Sequence, residues 1–228
     1  MMKLLRKLFG RKFDNSGAYW LDRYEAGGTS GAGSYGRLAE YKARIINALV
    51  AEREIGSVVE IGCGDGNQCS LFDFANYTGV DISPKVVAEA RTRFADRPGW
   101  EFHEADTFQT LGRPAEMSMS LDVIYHLVED EVFDTYMRDL TDAAGKYLLV
   151  YASDHDAPAR SPHVRHRAYS DWLAANAPEF ELLQTWEHEF PMTSGGDKKE
   201  TSFAFFRLFG RIEAEDKSNA GAPTGQPS

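Results

Sequence analysis

Between Val58 and Gln68 the chain reads VVEIGCGDGNQ. A short apolar run that breaks into glycine predicts a strand buried on both faces. Glycines at 62, 64 and 66 then predict a turn in which bare backbone comes close to a ligand, because no Cβ stands in the way. No other stretch constrains the fold as much. A buried strand ending in such a turn belongs to an α/β protein that binds its ligand at the carboxyl end of a parallel sheet.

The remaining sequence supplies the other elements. Residues 77–81 (YTGVD), 100–106 (WEFHEAD), 115–122 (AEMSMSLD) and 146–153 (KYLLVYAS) read as further strands. Helical spacing runs through SPKVVAEARTRFA, with Ser83 as N-cap and Pro84 at the first helical position. It returns at Val132, Phe133, Tyr136, Met137 and Leu140, with Gly145 as the expected stop, and in YSDWLAANA. FELLQTWEHEF and TSFAFFRLF close the domain as an antiparallel hairpin. Strands alternating with helices imply a mainly parallel sheet, here of seven strands, with helices on both faces.

Length and charge narrow the partners. A chain of 228 residues is expected to form one domain with a sizeable core. Its net charge of -10, from 35 acidic and 25 basic residues, argues against sequence-independent binding to nucleic acid, which needs a basic surface. Two cysteines, Cys63 and Cys69, make neither a disulfide framework nor a zinc spacing, so a reducing, cytoplasmic setting is expected. Residues 1–13 carry five basic groups and no acid, with Leu4, Leu5, Leu8 and Phe9 at amphipathic spacing. Such an arm (residues 1–16) is expected either to lie weakly on an anionic membrane surface or to pack on the domain or stay mobile. Residues 213–228 have the composition of a disordered tail, leaving 17–212 as the folded domain.

The glycines can now be judged. A dinucleotide fingerprint wants a third glycine where this chain has Asn67 or, in the shifted register, Cys69. A phosphate loop wants a Gly-Lys-Ser/Thr ending, which is absent. What stands here is Glu60-x-Gly62-x-Gly64-x-Gly66, followed by Asp81 in GVDIS and Asp106 in HEADTF. This set resembles the class I S-adenosylmethionine-dependent methyltransferases of small-molecule type, over roughly residues 17–210. The resemblance implies a Rossmann-like fold and S-adenosylmethionine as cofactor. It also implies that Asp81 accepts from both ribose hydroxyls and that Asp106 meets the adenine amino group. A carboxylate suits the ribose because it can accept two hydrogen bonds at once. Ile82, Thr107 and Ser120 join the cofactor set on the same resemblance.

In that family the loop after the fourth strand faces the methyl group, and here it reads SLDVIYHLVED. His126 is the candidate base for a hydroxyl acceptor, with Asp122 and Tyr125 as orienting neighbours; unperturbed, it would titrate near pH 6.5. Five glycines between 27 and 36 predict a hinged lid (residues 17–52 with its helix), on which Tyr35 and Arg37 enter the site. Arg37 would pair with the methionine carboxylate. Leu38, Tyr41, Ile45 and Leu49 would form one side of the following helix, and Tyr19, Trp20, Arg23 and Tyr24 the lid's wall, with Tyr19 and Tyr24 towards the acceptor. His163, Arg165, His166 and Arg167 place positive charge near the sheet edge and suggest an anionic acceptor such as a carboxylate, phosphate or nucleotide-linked sugar. No hard-cation cluster accompanies them, so no metal is expected.

Overall fold

A computed structural model describes residues 13–111, 114–192, 196–197 and 199–212. The basic stretch through residue 12 and the tail from 213 lie outside the described residues. Helix α1 (Ser16–Glu25) starts where Asn15 caps it, its side chain accepting from Ala18 N at 2.8 Å. Helix α2 (Gly36–Glu52) turns Leu38, Tyr41, Ile46 and Leu49 inward. Ile46 is fully buried, and Ile45, expected on that face, is only partly covered. The buried face is wider than the expected stripe and also takes in Ala39, Lys42, Ala43 and Val50, so it is centred to one side of Ile45.

The sheet has the order β3-β2-β1-β4-β5-β9-β8. β1 (Val58–Ile61), β2 (Tyr77–Asp81), β3 (Trp100–Glu104), β4 (Ala115–Leu121) and β5 (Ala144–Ala152) pair in parallel. β9 (Phe205–Arg211) runs antiparallel against β5 and against β8 (Phe180–Thr185). A two-residue pair, β6 (Ala157–Pro158) with β7 (Arg165–His166), stands apart. Helices α3 (Pro84–Arg93), α4 (Ala105–Leu111), α5 (Asp130–Asp142) and α6 (Tyr169–Asn176) make the connections. The strand order reverses between β1 and β4, which opens a crevice at their carboxyl ends.

Covered on both faces, β4 buries Ser118 and Ser120 as deeply as Met117 and Met119. The alternation in its sequence is resolved by local bonds: Ser118 donates to Leu140 O at 2.6 Å, and Ser120 bonds the Tyr136 hydroxyl at 2.7 Å. Three expectations shift by a few residues. Asp106 does not end β3; it sits in the first turn of α4, two residues beyond the strand end. Ser83 holds the N-cap position of α3 with no side-chain cap bond, and its own N–H donates back to Asp81. Gly145 does not stop α5. The helix ends at Asp142, and Gly145 lies inside β5, where a Cβ would stand 2.8 Å from Ala115 O.

Candidate active site

The glycine turn after β1 is held from beneath by Asp81 at the end of β2. One carboxylate oxygen accepts from Gly64 N and the other from Ser83 N, both at 2.9 Å. Gly62 and Gly64 have φ of 91° and 60°. A Cβ on Gly62 would meet Val123 at 2.4 Å, and one on Gly64 would meet Ser30 Oγ at 2.2 Å. Only glycine fits this backbone. Burial pushes the Asp81 carboxyl up to about 6, although the two amide bonds oppose the shift. Glu60, on β1, is buried and accepts from Tyr77 OH at 2.5 Å, and burial pushes it up to about 7.

Above this turn lies a cavity of about 520 Å³, within the range of small-molecule and cofactor sites. Glu60, Gly62, Asp81, Ile82, Asp106 and Asp122 line it together with Tyr24 and His126. Ile82 is exposed at its mouth. Thr107 is exposed beside Asp106 without lining the cavity, and Ser120 is buried beneath it. The sequence reading missed one wall. Glu131, Thr135 and Asp139 project from α5 at four-residue spacing. That polar stripe on an otherwise amphipathic helix was the available signal.

His126 lies in a 3₁₀ turn directly after β4. Its Nδ1 stands 2.9 Å from His163 O, so Nδ1 carries the proton and Nε2 is the accepting end. Trp20 meets the imidazole edge-on, with centroids 4.9 Å apart. Burial lowers its pKa to about 4, well below the ordinary value near 6.5. The ring is neutral at any ordinary working pH.

Asp122 has a positive φ of 61°. Its carboxylate accepts from Lys42 Nζ at 2.5 Å and from Tyr125 OH at 2.7 Å. The Lys42 side chain is fully buried, and its ammonium lies 5.1 Å from the Tyr151 ring centroid. Lys42 was absent from the sequence reading, because a lysine on the inner face of an apolar helix carries no motif. Tyr125, buried beneath the loop, does not line the cavity and reaches it only through Asp122.

The glycine-rich segment 27–36 folds over the glycine turn. Ser30, Ser34 and Tyr24 join the cavity wall, and Tyr24 OH lies 3.1 Å from Ser30 Oγ. Tyr35 instead donates to Asp65 at 2.8 Å on the outer side. Arg37 points away from the cavity: it pairs with Glu200 at 2.9 Å and covers the Phe190 ring at 3.7 Å. Tyr19 stacks on His163 with centroids 4.3 Å apart, behind the wall formed by Trp20. His166 bonds Ser153 Oγ at 2.6 Å. Arg165 and Arg167 both pair with Asp130, and Arg167, itself buried, also donates to Leu127 O and Val128 O. These guanidinium groups fix the loop after β4. Among the described residues no arginine or lysine lines the cavity, and no group of three His, Cys, Asp or Glu side chains could hold a metal ion.

A parallel sheet with a positive-φ glycine turn, a carboxylate at the next strand end and a second acid past the third defines a nucleoside-binding α/β protein. The residues fit S-adenosylmethionine: Asp81 keeps lone pairs for vicinal hydroxyls, and the turn leaves room for the chain beyond them. Residues 58–168 match a family model described as a methyltransferase domain. The trans-aconitate 2-methyltransferase of Deinococcus radiodurans is 28% identical over 183 residues, covering 76% of this chain and 64% of that protein. The chain thus spans just under two thirds of that curated relative's length. The Enterobacter enzyme of the same name is 25% identical, covering 66% of this chain and 68% of its own. Among solved structures, the N-methyltransferase NodS of Bradyrhizobium japonicum bound to S-adenosylhomocysteine superposes with a TM-score of 0.68. It is 14% identical and covers 88% of this chain and 100% of its own, a likeness of fold. Residues 58–168 thus match a methyltransferase domain, and the whole described fold is like that of the class I S-adenosylmethionine-dependent methyltransferases.

Proposed function

We propose that residues 17–212 form one domain that transfers a methyl group from S-adenosylmethionine to a hydroxyl of a small acceptor, seated between Trp20, His126 and Leu127. The observation that carries the hydroxyl is the tautomer of His126: Nδ1 is committed to His163 O, and the accepting Nε2 belongs to a residue that lines the cavity. The bound cofactor supplies an electrophilic methyl, so the chain's own work is alignment, exclusion of water and removal of one proton. Neutral His126 takes that proton as the acceptor oxygen loses it. Trp20 holds the imidazole plane, and Asp122, fixed by Lys42 and Tyr125, holds the loop that carries it. Segment 27–36 serves as the lid.

A carboxylate acceptor is the second reading, favoured by relatives named for trans-aconitate. Against it, an acidic acceptor would enter a cavity lined by six carboxylates and, among the described residues, by no arginine or lysine. The net charge of -10 supports a small acceptor over nucleic acid. Among the described residues no helix is long and apolar enough to cross a membrane. Both cysteines are buried thiols, in keeping with a reducing, cytoplasmic setting. The test is incubation with labelled cofactor and matched panels of hydroxylated and carboxylated metabolites, trans-aconitate among them, with mass detection of products heavier by one methyl. Ester products alone would replace the hydroxyl reading with the carboxylate one.

A further inference from the structure

Gln68 closes the glycine turn where it meets α2, and its side chain is buried at 3% exposure. Its Nε2 donates to Ala39 O at 3.1 Å. That bond fixes the amide, since a flipped group would set two oxygens against each other. The other end, Oε1, is buried and has no hydrogen-bond partner among the described residues. A buried carbonyl left in this state is costly, and native proteins keep few of them. Gln68 also lines the cavity.

An elongated nucleoside ligand with its base at Asp106 and its ribose at Asp81 directs its remaining end along the glycine turn towards α2. Among the donors of S-adenosylmethionine, the adenine amino group and the ribose hydroxyls are thereby placed elsewhere. The α-ammonium is the donor left. We propose that Gln68 Oε1 accepts a hydrogen bond from the α-ammonium of the cofactor, making Gln68 a specificity residue for the amino-acid end; this rests on the cofactor reading above.

The test is calorimetry on the full chain with three probes. S-adenosylhomocysteine carries both the ammonium and the carboxylate. Its decarboxylated amine keeps only the ammonium, and 5′-methylthioadenosine has neither. Gln68→Met retains the length of the side chain and removes the acceptor. It should weaken the first two probes by about tenfold to a hundredfold, the scale of a hydrogen bond to a charged group, and leave 5′-methylthioadenosine unchanged. Gln68→Glu gives up the bond to Ala39 but restores an acceptor, so it should recover binding of both amines. Equal losses for all three probes would make Gln68 a packing residue and overturn the proposal, as would a loss confined to the probe with a carboxylate. Failure of the unmodified chain to bind S-adenosylhomocysteine would instead remove the cofactor reading on which the proposal rests.

Discussion

Ser30 and Asp65 hold each other by two reciprocal hydrogen bonds. Ser30 N donates to Asp65 Oδ2 at 2.7 Å, and Asp65 N donates to Ser30 Oγ at 2.9 Å. Asp65 also accepts from Tyr35 OH and from Asn67 N. One carboxylate thus fastens the glycine-rich segment onto the turn that borders the cavity. Several bonds to a single charged group make a clasp that opens as a unit, because charge-assisted bonds are stronger than neutral ones.

Asp65→Ala should therefore loosen segment 27–36 without unfolding the domain. S-adenosylhomocysteine should dissociate about tenfold faster or more, on the scale of one lost charged hydrogen bond. Stopped-flow displacement measures this directly. An unchanged off-rate, with an unchanged melting temperature, would show that the clasp does not govern access.

In the proposed cofactor site, Asp81 must be ionised to accept from two ribose hydroxyls while it holds Gly64 N and Ser83 N. Its carboxyl is raised to about 6. Affinity for S-adenosylhomocysteine should be level above that pH and should fall below it, by up to tenfold per pH unit, as the proton competes with the ligand. Titration calorimetry from pH 5 to 8 reads this. Asp81→Asn should flatten the profile at the low level, with a loss of about 2–3 kcal/mol.

The pH profile of turnover should not carry the ordinary histidine step. With His126 lowered to about 4, the imidazole is already neutral near pH 6.5. Turnover measured at saturating cofactor should then show no histidine step between pH 5.5 and 8. So low a basicity also limits what the base contributes. His126→Asn should slow turnover by about 10²-fold, the lower end of the range for general bases, with cofactor affinity unchanged. A wild-type rate in the mutant would point to an acceptor that needs no base.

Lys42 neutralises Asp122 where both are held away from water. Removing one partner of such a pair leaves an uncompensated charge, so Lys42→Met should cost about 3 kcal/mol of stability. Chemical denaturation provides the measurement. Adding Asp122→Asn should recover part of the loss, and strict additivity of the two changes would mean that the pair is not coupled.

Much of this was legible beforehand, for identifiable reasons. The strands around 58–62, 77–81 and 146–153 announce themselves through apolar runs bounded by glycine or turn residues, and β1, β2 and β5 lie where those runs fall. The glycine turn and Asp81 are local in sequence, so spacing exposes them. Lys42, Gln68 and the α5 wall are different. Each matters through a partner fixed only by packing: Asp122 lies 80 residues from Lys42, and Ala39 lies 29 residues before Gln68. Arg165 and Arg167 show the converse. Their cluster looked like a surface for anions, yet a buried guanidinium can spend its donors on backbone carbonyls, and Arg167 does so at Leu127 and Val128. Composition reveals charge but not what the charge is bonded to.

On the proposed reaction, the six acidic side chains around the cavity bear on how the site clears after each turnover. S-adenosylmethionine carries a sulfonium charge, and the thioether product does not. Glu60, Asp81, Asp106, Asp122, Glu131 and Asp139 all line the cavity, and a site walled in this way attracts the cationic form more strongly than its spent counterpart. Methyl transfer therefore cancels part of the attraction that retained the ligand. On the proposed reaction, the step that alters the acceptor also weakens the grip on what remains, so fresh cofactor outcompetes used cofactor.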